Sequence, residues 1–233
     1  MSSDFDYIVR GSNAEEARYL IILIHGYGRN AHVMDKPATT IARAVPNAHI
    51  LIPHAPELLD LTEHEMQALP VPQVLRADEG DSRHNRRQWF GLRGDLSDLR
   101  TRLLGVAGHM NGFIDIQRDR LGIPDERIAI MGFSQGGGVA LCTAYLRAQP
   151  VACVVGHSTM FLGLDGLSTK SPTLYIYGTQ DEEFELPIYN ESTKRLAACV
   201  KDLTVNAIVG LGHRTNDVSR LVCANYVARH LKR

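Results

Sequence analysis

Ile128-Ala129-Ile130-Met131-Gly132-Phe133-Ser134-Gln135-Gly136-Gly137-Gly138 is the stretch whose reading decides the fold. Four apolar residues run up to Gly132, Ser134 stands at the centre of a Gly-x-Ser-x-Gly pattern, and a small-residue run then opens an apolar segment reaching Leu146. This pattern predicts a strand, a very tight turn and a helix, with the serine at the apex. A serine so placed has strained backbone angles and a hydroxyl pushed clear of the sheet. Gly132 and Gly136 are demanded because a Cβ there would meet the neighbouring strand or helix. The helix start behind Ser134 offers free N–H groups to a developing negative charge.

The same rhythm extends outward along the chain. Tyr19–Ile24, His49–Ile52, Arg127–Met131, Val151–Val155, Thr173–Tyr177 and Thr204–Val209 read as strands. Several are apolar at consecutive positions, as expected of parallel strands covered on both faces. Ala31–Ala44, Asp95–Leu121, Gly136–Ala148, Pro187–Val200 and Asn216–Leu231 read as helices, and Phe5–Val9 as an extra edge strand. The βαβα order implies a single α/β domain with a mostly parallel, doubly wound sheet. Ligands then bind at the carboxyl ends of the strands. Residues 57–87 break the pattern with prolines, many charges and no clear strand. A long irregular stretch inside a compact domain is usually functional or mobile, and an ordinary surface loop is the alternative. It is read as a small cap-like insertion, with Leu58 and Leu61 among its apolar residues.

Composition narrows the function classes. The chain has 233 residues, 44% hydrophobic and 22% charged, with a net charge of −1. That balance fits a globular domain and argues against nucleic-acid binding, which needs a basic surface. No apolar stretch approaches membrane-span length, so no integral membrane segment is expected. Met1–Asp6 has neither a basic region nor an apolar run, so no signal peptide is expected. Cys142, Cys153, Cys199 and Cys223 lie singly in apolar segments, which suits reduced thiols and a cytoplasmic location. The ten histidines show no His-x-x-x-His spacing and the cysteines no Cys-x-x-Cys. Gly26-Tyr27-Gly28 lacks the third glycine of a dinucleotide fingerprint. Neither a metal nor another cofactor is therefore expected.

An activated serine needs a base, a group that orients the base, and donors for an oxyanion. In this architecture the acid follows a later strand and the histidine follows the last one. After Thr173–Tyr177 comes Gly178-Thr179-Gln180-Asp181, which makes Asp181 the candidate acid, with Glu182 and Glu183 as immediate rivals. After Thr204–Val209 comes Gly210-Leu211-Gly212-His213, where the glycines permit a tight turn toward Ser134. His213 is the candidate base. His230 lies within the final helix, and His157 reads as a pocket or structural residue. The first long strand runs into His25-Gly26-Tyr27-Gly28, a loop suited to carrying an oxyanion donor. The backbone N–H groups of Tyr27 and Gln135 are the candidate donors, with His25 supporting the loop.

With these motifs assembled, the chain resembles the carboxylesterase/phospholipase/acyl-protein thioesterase family of α/β-hydrolases. The resemblance rests on Leu23–Gly28, Pro53-His54-Ala55-Pro56, Arg87-Gln88-Trp89-Phe90, Gly132–Gly137, Gly178–Asp181 and Gly212-His213. It implies a compact serine esterase acting on small carboxylic esters, lysophospholipids or acyl thioesters, with Trp89 and Phe90 near the serine. His25, His54, Leu58, Leu61, Trp89, Phe90, His157 and Phe184 are the candidate substrate-binding residues. The segment between Pro56 and Arg87 looks longer than in the family. Glu182–Pro187 is bulkier and more acidic, so the substrate class does not carry over. The reading is a Ser134–His213–Asp181 hydrolase forming an acyl-enzyme on an ester or lipid-like substrate, as a monomer or homodimer. The rival readings are an acyltransferase using the same residues and a non-catalytic binding protein.

Overall fold

The computed structural model describes residues 5–59, 85–163 and 169–232. Seven strands form the central sheet: β1 (Tyr7–Gly11), β2 (Tyr19–Ile24), β3 (Ala48–Pro53), β6 (Ile128–Phe133), β7 (Cys153–His157), β8 (Thr173–Gly178) and β9 (Leu203–Ile208). Their spatial order is β1-β3-β2-β6-β7-β8-β9. Only β1 runs antiparallel, pairing with β3 from Tyr7↔Pro53 to Gly11↔His49. The other neighbours are parallel. This is the mostly parallel sheet of an α/β-hydrolase fold.

The apolar runs explain the layers. Side chains alternate across a strand, so a strand apolar at every position must be covered on both faces. In β2, Leu20, Ile22 and Ile24 face one core while Ile21 and Leu23 face the other. All five are fully buried. Each such burial contributes about 1.5–3 kcal/mol. The first core is closed by α2 (Leu96–Leu121), α3 (Gln135–Leu146) and α4 (Leu186–Cys199). The second is closed by α1 (Asp35–Ala44) and α5 (Asp217–Leu231). The cysteines are all free, with Cys142, Cys153 and Cys223 buried within these layers. No described helix is long and apolar enough to cross a membrane.

Helix ends follow local chemistry. Asp95 caps α2, with its carboxylate accepting from the N–H groups of Ser97 and Asp98 at 2.8 and 2.9 Å. The helix stops at Gly122, whose φ of 63° suits glycine. Asn216 caps α5 in the same way through Ser219. The stretch read as one helix from Ala31 splits, because Ala31–Met34 forms a 3-10 turn capped by Asn30 before α1 begins. The inserted segment leaves and rejoins the domain through a two-stranded ribbon, β4 (Glu57–Leu58) and β5 (Arg87–Gln88), that the sequence did not signal. Leu61 and most of the proposed cap lie outside the described residues.

The sheet order reverses between β2 and β6, which pair directly from Leu20↔Ile128 to Ile24↔Gly132. Loops leaving two such strands diverge to opposite sides and open a crevice at their carboxyl ends. The His25–Gly28 loop leaves β2 there and Ser134 leaves β6.

Close packing at this crossing makes its glycines obligatory. A Cβ on Gly132 would lie 1.9 Å from the Gly136 carbonyl oxygen. A Cβ on Gly136 would lie 2.3 Å from the carbonyl oxygen of His25. Both contacts are with backbone, which cannot rotate away. Gly105, exposed within α2, has nothing within 4 Å of its Cβ position. Gly132→Ala and Gly136→Ala are each expected to cost more than about 3 kcal/mol or to yield no soluble protein. Gly105→Ala is expected to add about 0.5–1 kcal/mol. Urea unfolding of the three variants checks this, and comparable midpoints for Gly132→Ala and the wild type would contradict it.

Candidate active site

Ser134 sits between β6 and α3 with φ 53° and ψ −123°, a conformation that non-glycine residues rarely adopt. Its backbone N–H is held by the His157 carbonyl at 2.9 Å, and its own carbonyl accepts from Gly137 N–H at 2.8 Å. The hydroxyl lies 2.9 Å from His213 Nε2. On the other side of that ring, Nδ1 lies 2.9 Å from Asp181 Oδ2 and 3.1 Å from Oδ1. The three side chains thus form one continuous hydrogen-bonded relay. The Asp181 side chain is fully buried and that of His213 is 14% exposed.

Burial pulls the Asp181 carboxyl upward, but hydrogen bonds outweigh it and hold the group below its ordinary range. The Tyr189 hydroxyl donates to Oδ2 at 2.5 Å, and the N–H groups of Glu183 and Phe184 donate to Oδ1 at 2.9 Å. Tyr189 is itself fixed by stacking on Tyr177, with ring centroids 4.2 Å apart and planes 7° apart. The rivals of Asp181 face elsewhere. Glu182 accepts the backbone N–H of His213 at 2.8 Å, so it shapes the loop rather than the ring. Glu183 is exposed.

The His213 loop is clamped to the end of β8. Gln180 N–H bonds the Leu211 carbonyl at 3.0 Å, and a Cβ on Gly178 would lie 2.0 Å from that same oxygen. This contact sets how near the β9 loop comes to Ser134.

His25, Trp89 and Gln135 brace the opposite rim. His25 is fully buried, with Nδ1 2.9 Å from the Gly26 carbonyl and Nε2 accepting Ala55 N–H at 3.0 Å. Nδ1 is therefore the protonated nitrogen. Trp89, also fully buried, donates its indole N–H to the His25 carbonyl at 2.7 Å. The Gln135 side chain accepts Trp89 N–H at 2.9 Å and donates to the Phe90 carbonyl at 2.7 Å. Arg87 reaches the Ala55 carbonyl at 3.0 Å. The Pro-His-Ala-Pro and Arg-Gln-Trp-Phe segments thus hold the loop after β2 in place. The Gln135 side chain has this bracing role in addition to the N–H expected to face an oxyanion.

A cavity of about 470 Å³ opens beside Ser134. Phe90 and Phe184 line it, as do Tyr27, Gln135 and His213. The remaining candidates for substrate contact stand elsewhere. His25 and Trp89 have no exposed surface and lie behind the wall. His157 is fully buried under Phe133, at a ring separation of 5.3 Å. His54 accepts Ala31 N–H at 3.3 Å and packs against His32. Leu58 is 60% exposed on the ribbon and is not among the lining residues. Leu61 lies outside the described residues. Sequence reading missed most of the apolar lining, including Leu99 and Leu103 on α2 and Met160 and Leu162 after β7. Their spacing on α2 is visible in the sequence, but only packing shows which neighbour that face meets.

The phospholipase/carboxylesterase family profile matches residues 7–70 and 77–231. The chain belongs to this family. Acyl-protein thioesterase 1 of Cryptococcus neoformans is 27% identical over 139 residues, which is 60% of this chain and 53% of the relative. The chain therefore matches about half the length of that curated relative. Among solved structures, esterase PE8 superposes with a TM-score of 0.79 at 16% identity, covering 97% of this chain and 99% of its own. A carboxylesterase from Mesorhizobium loti gives 0.70 at 18% identity, covering 96% and 94%. At these identities the structural likeness carries the α/β-hydrolase fold.

The buried histidines of this family member carry a pH consequence. Burial is the main reason the pKa values of His25 and His157 fall to about 3. In the unfolded chain both take up a proton below about pH 6.5, while in the fold they stay neutral. The unfolded state then binds more protons between these values, so stability falls as pH falls through that window. From pH 7 to pH 5 each histidine is expected to cost about 2 kcal/mol. Urea unfolding at pH 7, 6 and 5 reads this, and a flat stability across the range would refute it.

Proposed function

We propose that the protein is a serine hydrolase that cleaves carboxylic esters or acyl thioesters through an acyl-enzyme on Ser134. The observation that carries this reading is the relay from Asp181 through His213 to a hydroxyl on a strained turn, beside a cavity with apolar walls. The similarity to acyl-protein thioesterase 1 keeps thioesters within the substrate class.

In this mechanism His213 Nε2 takes the Ser134 proton as Oγ attacks the substrate carbonyl carbon. The carbonyl oxygen becomes an anion received by the N–H groups of Tyr27 and Gln135. Gln135 is the first residue of α3, so its N–H has no partner within that helix. One such donor is worth on the order of 3 kcal/mol in the barrier. His213 then gives its proton to the departing alkoxide or thiolate, leaving the acyl group on Ser134. Water attacks that acyl group, loses a proton to His213, and the acid leaves as Oγ recovers the proton. Asp181 remains ionised throughout and stabilises the imidazolium.

Ser134→Ala is expected to lower kcat/KM for p-nitrophenyl butyrate by at least about a thousandfold and to abolish labelling by a fluorophosphonate. Wild-type turnover in that variant would overturn the assignment. Asp181→Asn should cost about a hundredfold or more in kcat. Glu182→Gln, which keeps an acceptor for His213 N–H, should cost less than about tenfold. The reverse order would make Glu182 the orienting acid. A panel of oxyesters and thioesters of graded acyl length reads the substrate class.

A further inference from the structure

The cavity beside Ser134 is chemically divided. Phe90, Leu92, Leu99, Leu103, Met160 and Leu162 give it apolar walls. Arg29 and Arg86 line it as well, close to the loop that carries Tyr27 and Gly28. Arg86 enters from the base of the ribbon, where its carbonyl accepts Leu59 N–H at 2.8 Å. Its guanidinium reaches the Gly28 turn, with Nη1 3.9 Å from where a Gly28 Cβ would stand. Arg86 is only 5% exposed, and its Nε has no hydrogen-bond partner.

Arginines buried to this degree are normally paired, because an uncompensated charge away from water is costly. Among the described residues no carboxylate pairs with Arg29 or Arg86. Burial, and for Arg29 also the neighbouring Arg86, depresses both guanidinium pKa values. Two like charges held together without a counter-ion are a prepared site for an anion. Of the described lining residues only Glu183 carries a carboxylate, and it sits beside Phe184 on the His213 side of the cavity.

We propose that Arg29 and Arg86 form an anion subsite, and that the preferred substrates are esters or thioesters carrying a second, negatively charged group. A carboxylate or phosphate fits, since the guanidinium fork of an arginine matches both, both arginines line the cavity, and the buried Nε of Arg86 has no partner within the protein. This inference rests on the hydrolase reading of Ser134. The anion can belong to the acyl half, as in the half-ester of a dicarboxylic acid, or to the leaving half, as in the ester of an acidic alcohol.

Two matched pairs of substrates separate these sources. The first pair is mono-p-nitrophenyl adipate and its methyl-capped counterpart. The second is 4-(carboxymethyl)phenyl hexanoate and its methyl ester. In one pair the wild type is expected to favour the charged member in kcat/KM by at least about tenfold. Arg86→Met should bring that ratio to near parity, Arg29→Met should lower it, and Arg86→Lys should retain part of it. The ratio within each variant cancels a general loss of folded or active protein. Absence of a preference in both pairs, or a preference unchanged in Arg86→Met and Arg29→Met, overturns the subsite. If no ester of either kind is turned over, the hydrolase reading has failed, and calorimetry with monomethyl adipate on Ser134→Ala reads the subsite directly. Saturable binding that Arg86→Met abolishes supports it, and no binding refutes it.

Discussion

The structure depends on one close crossing, where the end of β6 and the start of α3 pass the end of β2 with no room for a side chain. Gly132 approaches the Gly136 carbonyl, and Gly136 approaches the carbonyl of His25. Because the chain must turn within this space, Ser134 is forced to a positive φ. The strain is sustained by the parallel pairing of β2 with β6 and by the buried apolar runs on both faces of the sheet. The elbow and the loop after β2 therefore cannot be adjusted separately. A shift in either moves the serine relative to the N–H groups around it.

Several polar groups around this crossing are paired in a connected way. The His25 carbonyl, which flanks Gly136, accepts from Trp89, and the Trp89 backbone is in turn held by Gln135 from the first turn of α3. The buried imidazole of His25 is committed to Gly26 and Ala55. Buried polar networks of this kind rigidify a site only when their members are paired. On the far side, Tyr189, itself stacked on Tyr177, and two backbone N–H groups hold Asp181, while Glu182 holds the backbone of His213. His213 is thus held twice, through its ring and through its chain. Among the described residues the buried Nε2 of His157 and the Nε of Arg86 have no hydrogen-bond partner, and of these two only Arg86 lines the cavity, which is why the proposed anion is placed there.

Much of the fold was legible because it follows local periodicity. The strands of the main sheet and the long helices fall where consecutive apolar runs and amphipathic stretches place them, within a few residues. The motifs at strand ends were legible for the same reason. The sequence left Asp181, Glu182 and Glu183 as rivals, because adjacent acids on a loop differ only in where the turn points them. The aromatic pair Tyr177 and Tyr189 carried no signal for the site, since stacking between a strand and a later helix depends on their packing. His25, His157 and Trp89 were counted as substrate-binding candidates from their place in strand-end motifs and from the family resemblance, yet they have no exposed surface.

By itself the sequence determined the alternation of strands and helices, the glycines that permit the elbow, and the order of serine, acid and histidine. These are properties of neighbours along the chain, governed by steric limits on φ and ψ and by the repeat of side chains along each element. Tertiary structure alone decided which acid meets the His213 ring, which aromatics face the cavity, and that Arg29 and Arg86 share it. Those outcomes depend on distances between elements far apart in sequence, set by how sheet and helices pack, and no local pattern of residues encodes them.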